Sequence, residues 1–188
     1  MKTILKRNLY FIEICLCTVI LSSCGGVKFL EKSKRNEVFQ NKTISVYPVH
    51  LLTGNSDFNT NISTQIVDYL NKKENLKAVL VYQTPPVNSQ WYMNEAKMFS
   101  KSVNSFIPYI KTNDKTGDYC LLVEFLKQPR EICVHYYLID KATGKAVCAG
   151  LCNSDHKEHR LINPKTDEDA FTLFKVLFDK NIEEIKNN

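Results

Sequence analysis

The sequence predicts an α/β (α+β) domain in which a mixed sheet is packed by helices, in the order β-α-β-α-β-β-β-α. Runs rich in β-branched and aromatic residues recur at 43–52, 78–82, 119–126, 132–139 and 146–153, the composition of strands. Three other stretches carry apolar residues three and four apart, the period of a helix face. A stripe of that kind must bury itself against a second layer, which gives a layered domain.

Thr43 to Leu52 reads as a strand that ends near Pro48, since proline donates no ladder hydrogen bond. Thr53 to Asn61 is turn-rich. Ile62, Ile66, Tyr69 and Leu70 mark a helix face, with Asn59 or Asn61 as its cap. Ala78 to Tyr82 is a short apolar run, the pattern of a buried strand. Pro85 to Ser89 breaks regular structure. A long helix is predicted over Asn94 to Thr112, with Val103, Phe106 and Ile110 facing inward and Pro108 as its weak point. Tyr119 to Leu126, Ile132 to Ile139 and Ala146 to Asn153 are three strands. Asp140 to Lys145 joins the last two as a hairpin loop, with Gly144 supplying positive φ. Thr166, followed by Asp167, Glu168 and Asp169, is an N-cap with an acidic first turn. Phe171, Phe174, Phe178, Ile182 and Ile185 form the stripe of the closing helix.

The amino terminus has a different pattern. Lys2, Lys6 and Arg7 precede a run from Leu9 to Leu21 that is almost entirely apolar or small, its one charge being Glu13. A bilayer core takes roughly 20 apolar residues to cross as a helix, so this run is too short to span. A basic start, a short apolar middle and a small-residue end make a secretory signal. The end, Leu21-Ser22-Ser23-Cys24-Gly25, resembles the bacterial lipobox, in which the cysteine is lipidated and becomes the first mature residue. The expected organisation is therefore a signal peptide over 1–23, a lipidated Cys24 with a flexible tether over 24–42, and one globular domain over 43–188. Gly25 after Cys24 is compatible with the periplasmic face of the outer membrane.

Removing residues 1–23 leaves 165 of 188 residues, enough for one domain with a sizeable core. The chain has 25 Lys plus Arg against 20 Asp plus Glu, and no basic run longer than a pair. That is a mixed surface and excludes the electrostatic footprint of a nucleic-acid binder. Four cysteines remain beyond Cys24: Cys120, Cys133, Cys148 and Cys152. An exported domain permits disulfides. If Asp140 pairs with Lys145, counting back sets Cys133 opposite Cys152; a disulfide there and two packed thiols are the alternatives.

Cys152, Asp155, His156 and His159 are zinc-type donors within eight residues. They fall in a polar loop with no evident fourth ligand, so the expectation is a solvated loop and no metal. His50 and His135 sit in strand patterns and read as ordinary packing. No Gly-rich phosphate loop and no nucleophile elbow is present, so neither a cofactor nor a catalytic set is expected. Tyr82, Trp91 and Tyr92 lie in a proline-rich loop; aromatic residues of this kind anchor interfaces, or else seal the following helix against the sheet.

The segment from Val134 to Val147, with Leu138-Ile139-Asp140 ending a strand and Thr143-Gly144 in the loop, resembles the hairpin of the TolB amino-terminal domain and its relatives. These relatives include the curli-secretion lipoprotein CsgG, flagellar assembly lipoproteins and the penicillin-binding-protein activator LpoB. Gly117-Asp118-Tyr119 before a strand fits the same pattern. The resemblance implies a non-enzymatic envelope assembly or docking module, with an envelope protein or a second copy as partner and the membrane held through Cys24. A ligand- or lipid-binding accessory of a transport system is the alternative.

Overall fold

The computed structural model describes residues 28–35, 40, 42–52, 56–86 and 95–187. In chain order its elements are α1 (Lys32–Arg35), β1 (Thr43–Val46), β2 (Val49–Leu52), β3 (Ser56–Asn59), α2 (Thr60–Asn71) and β4 (Lys77–Leu80). Then follow α3 (Glu95–Asn113), β5 (Tyr119–Lys127), β6 (Ile132–Asp140), β7 (Ala146–Cys152), α4 (Lys157–Ile162) and α5 (Asp167–Lys186). The predicted α+β class is what the structure has: one mixed sheet of seven strands with helices on both faces.

β5 is the axis of the sheet. β6 pairs antiparallel along its whole length, and β7 pairs antiparallel with β6. Along the other edge of β5, β1 and β2 lie end to end and parallel to it. The first strand ends at Val46, near Pro48 as expected, and a second, β2, starts at Val49. Pro48 marks where the outer neighbour changes, from parallel β4 beside β1 to antiparallel β3 beside β2. β3 was expected as turn, because Ser-Asp-Phe-Asn carries no strand pattern; its pairing with β2 makes it a strand.

Side chains alternate across a strand, so the sheet has two distinct faces. One packs under α2 and α5, whose stripes (Ile62, Ile66 and Leu70; Phe171, Phe174 and Phe178) meet Val123, Phe125, Val134 and Tyr136. The other packs under α3 through Val103, Phe106 and Ile110. Asn59 caps α2 by accepting from the Ile62 N–H at 3.0 Å. Thr166 and Asp169 form a reciprocal capping box on α5. α3 continues through Pro108 because both Pro108 and Asn104, whose carbonyl loses its partner, are on the exposed side of the helix, where water can bond the freed group. Gly144 has φ of +71°, as the hairpin requires.

Two expectations are corrected. Leu138 pairs with Cys148 and Ile139 with Ala146, so Val147 is an extra residue, a β-bulge. The bulge moves Cys152 opposite Val134 and away from Cys133. Successive residues point to opposite faces, and the two thiols sit in different apolar clusters. Cys120, Cys133, Cys148 and Cys152 are all free and buried. The second correction concerns the tether. The Leu30 N–H donates to the Ala146 carbonyl and the Ala146 N–H to the Lys28 carbonyl, both at 2.8 Å. Leu30 is buried, and α1 follows. β7 is an edge strand with unpaired backbone groups; residues 28–30 cover part of that edge and belong to the folded domain.

Candidate functional site

Three polar side chains converge on the α3 face. β2, β5 and β6 run side by side, and register aligns His50 with Glu124 and Glu124 with His135. Glu124 Oε1 lies 3.0 Å from His50 Nδ1, and Oε2 lies 3.4 Å from His135 Nδ1. Glu124 and His50 are fully buried and His135 is 3% exposed. Phe58 stacks on the His50 ring, and Tyr137 meets the His135 ring edge-on.

Burial by itself pushes the Glu124 carboxyl upward. Hydrogen bonds from His135 and His50 outweigh it, so the net direction is down and the carboxylate stays ionised. Burial pushes His135 down more than Glu124 raises it, so its neutral form is favoured. The set is sealed from solvent in this conformation, so it ties three strands together rather than meeting a substrate. Both histidines were expected as ordinary strand packing, and Glu124 was missed. Its signal was a lone carboxylate inside the otherwise apolar run Tyr119–Leu126.

A second polar centre lies where α3 meets β5. Asp114 Oδ2 accepts from the Tyr47 hydroxyl at 2.8 Å, and Oδ1 accepts from the backbone N–H of Thr116 at 2.8 Å and of Gly117 at 3.0 Å. Lys141 Nζ stands 3.7 Å from Oδ1. Burial raises the Asp114 carboxyl, but these hydrogen bonds together carry it below its usual range. The thiols are poor nucleophiles: burial pushes Cys148 up to about 12 and Cys152 up to about 11, and Cys120 is raised as well.

The expected loop donors do not assemble. The Cys152 side chain is in the core, while His156 bonds Asn153 at 2.8 Å. His159 instead approaches Glu131 and Cys133, with ligand atoms within 4.8 Å of one another. The same His159 Nε2 is 3.2 Å from the Ile132 carbonyl. A nitrogen that donates to a carbonyl carries a proton and has no lone pair for a metal.

Tyr82 is 79% exposed, just before Pro85 and Pro86. Trp91 and Tyr92, and the predicted lipidation site Cys24, lie outside the described residues. A cavity of about 200 Å³ lies between α1, β7 and α5, lined by Phe29, Lys32, Arg35, Asn181 and Glu184 among others. No helix among the described residues is long and apolar enough to cross a membrane.

The geometry defines a layered α/β domain with two buried polar ties. No protein-family model and no curated protein matches the chain. Among solved structures it is similar to the C-terminal domain of LpoB from Salmonella enterica, at 9% identity and a TM-score of 0.40, over 64% of this chain and 92% of that one. It is similar to the LpoB C-terminal domain from Escherichia coli at 11% identity and a TM-score of 0.39, over 68% and 94%. It is also similar to TolB from Acinetobacter baumannii at 11% identity and a TM-score of 0.36, over 61% of this chain and 23% of that one. Identities this low say nothing of activity, since one fold hosts many functions.

Proposed function

We propose that this chain is a lipid-anchored envelope protein, acylated at Cys24, whose domain is a non-enzymatic docking or assembly module on the periplasmic side, at the outer membrane. The observation that carries the reading is Leu21-Ser22-Ser23-Cys24, placed behind three basic residues and a short apolar run. Two acyl chains or more make such an anchor stable, because one alone binds a bilayer only marginally. The partner is an envelope protein or a second copy of the chain, and Tyr82, Trp91 and Tyr92 are the proposed contact residues. The exposure of Tyr82 supports that choice. The ligand-binding alternative requires an enclosed apolar site, typically 300 Å³ or more. The cavities of about 200, 310 and 540 Å³ are lined by charged side chains, Lys32, Arg35 and Glu184 in the first, Lys73, Glu74 and Asp179 in the second, and Lys111, Asp118 and Lys141 in the third.

Palmitate labelling in a bacterial host tests the anchor. The natural chain incorporates label and is cleaved before Cys24, while Cys24→Ser stays an unlabelled precursor. Equal labelling of both would refute acylation at Cys24. Crosslinking in intact cells, with and without Tyr82→Ala and Trp91→Ala, then tests docking. Loss of a captured envelope protein while the unfolding transition is unchanged supports it; co-purified lipid with no protein adduct supports the alternative.

A further inference from the structure

The lysines of this chain are scattered in sequence, but the fold gathers them at one end. Thr43 begins β1, Tyr119 begins β5, Asp140 ends β6 and Ala146 begins β7, and pairing sets all four at the same end of the sheet. α3 ends there too, with Lys111 Nζ 3.4 Å from the Thr143 carbonyl. This end carries Lys28, Lys42, Lys111, Lys115, Lys141 and Lys145. On the α3 side of this end the acids are Asp114, Asp118 and Asp140; on the α5 side Glu74, Asp179, Glu183 and Glu184 stand among Lys73, Lys77 and Lys186. The Asp114 side chain is 1% exposed and already bonded to Tyr47, Thr116 and Gly117. Asp118 accepts from the Thr43 N–H at 2.9 Å, and Asp140 from the Thr143 N–H at 2.8 Å. Lys28 and Lys115 are exposed and Lys145 is half-exposed. The far end has no such excess: Lys127, Arg130, Lys157, Arg160 and Lys165 are interspersed with Asp57, Glu131, Asp155, Glu158, Asp167, Glu168 and Asp169.

The chain enters the domain at the lysine-rich end. Phe29 bridges Ala146 in parallel orientation, so residues 28–30 run in the direction of β7, and Lys28 stands at the end of the sheet where the β6–β7 hairpin lies. Cys24 is four residues before Lys28. Four residues reach at most about 14 Å, while nine-residue β5 is about 30 Å long. An acyl anchor at Cys24 therefore holds the hairpin end nearest the bilayer, within about one to two Debye lengths.

We propose that the hairpin end, through Lys28, Lys111, Lys115, Lys141 and Lys145, lies on an anionic lipid headgroup surface and sets the orientation of the domain on its membrane. This rests on the acylation at Cys24 proposed above, which supplies the tether; the lysine cluster supplies the orientation.

The acylated full protein is reconstituted on vesicles of pure phosphatidylcholine and on vesicles that also contain phosphatidylglycerol. Lysine acetylation is then read residue by residue by mass spectrometry. Labelling of Lys115 and Lys145 is expected to slow about five-fold on the anionic vesicles, the effect of a single lysine held near such a surface. Lys157 and Lys165 stay unchanged, and high salt removes the protection. A Lys28→Glu, Lys115→Glu, Lys145→Glu variant, still acylated, loses protection at Lys111 and Lys141. Equal labelling of both ends on both vesicle types, with acyl chains present on Cys24, overturns the proposal. If the mass spectrum shows Cys24 unacylated, the anchor reading fails by itself. Sedimentation of that protein with the anionic vesicles then decides for the lysine face if it binds, and against it if it does not.

Discussion

The two faces of the sheet bury similar amounts of strand but different chemistry. Toward α2 and α5 the middle of the sheet presents apolar and aromatic side chains, among them Val123, Phe125, Val134 and Tyr136, which pack on Phe174 and Phe178. Toward α3 the same strands bury Glu124, His50 and His135 amid Cys120, Leu122 and Tyr137. An apolar face is stabilised by area and close packing and tolerates volume-conserving exchange. A buried carboxylate tolerates no loss of a partner, because desolvation is repaid only by hydrogen bonds in good geometry. The first face therefore supplies most of the cohesion, and the second specifies which strand lies beside which.

That contrast makes the faces fail in different ways. Phe174→Ala on the apolar face is expected to have the largest effect, a loss of about 4 kcal/mol from the transfer and cavity terms, read by urea unfolding. Phe174→Leu should recover most of it. Glu124→Ala on the other face is expected to cost about 3 kcal/mol by leaving two buried imidazoles without their acceptor. Glu124→Leu would fail in the same way unless His50 and His135 are also made apolar. If the triple apolar variant is no more stable than Glu124→Ala, the partner requirement is wrong.

Acid should act on the buried set of the α3 face, which the apolar packing of the other face does not share. His135 is lowered from its ordinary 6.5, so the unfolded chain binds its proton at higher pH than the fold does. Glu124 is lowered from its ordinary 4.5, so the unfolded carboxyl is again protonated first. Both signs agree: stability is full above about pH 6.5, falls as pH drops below it, and falls further below about 4.5. Urea midpoints at neutral and acid pH check this; Glu124→Gln should flatten the lower part of the curve, and Phe174→Leu should leave its shape alone. Thr166→Ala, which removes the cap of α5, is expected to cost about 1 kcal/mol at neutral pH. The smallest effect is on the thiols. Four free thiols are expected in the denatured mature protein, with or without prior reduction, since the bulge at Val147 puts Cys133 and Cys152 on opposite faces. A count of two would contradict that register.

Much of the architecture was legible because it is set by forces acting within a few residues. The three helix stripes, the Asn59 and Thr166 caps and the Gly144 hairpin all follow from local period and local hydrogen bonding, and the structure has them in place. β3 was not legible, because its four residues become a strand only when β2 lies beside them. The candidate site was harder to read for the same reason. His50 and Glu124 are 74 residues apart, and nothing local says that β2 will lie against the second half of β5.

By itself, then, the sequence determined the order of α2, β4, α3, β5, β6, β7 and α5 and the apolar side of those three helices. Only the tertiary structure decided the bulge that separates Cys133 from Cys152, the docking of residues 28–30 on β7, the His50–Glu124–His135 tie, and the gathering of dispersed lysines at the hairpin end. Each of these depends on which strands become neighbours. That choice is made by burial across the whole sheet, between segments too far apart in the chain for local preference to express it.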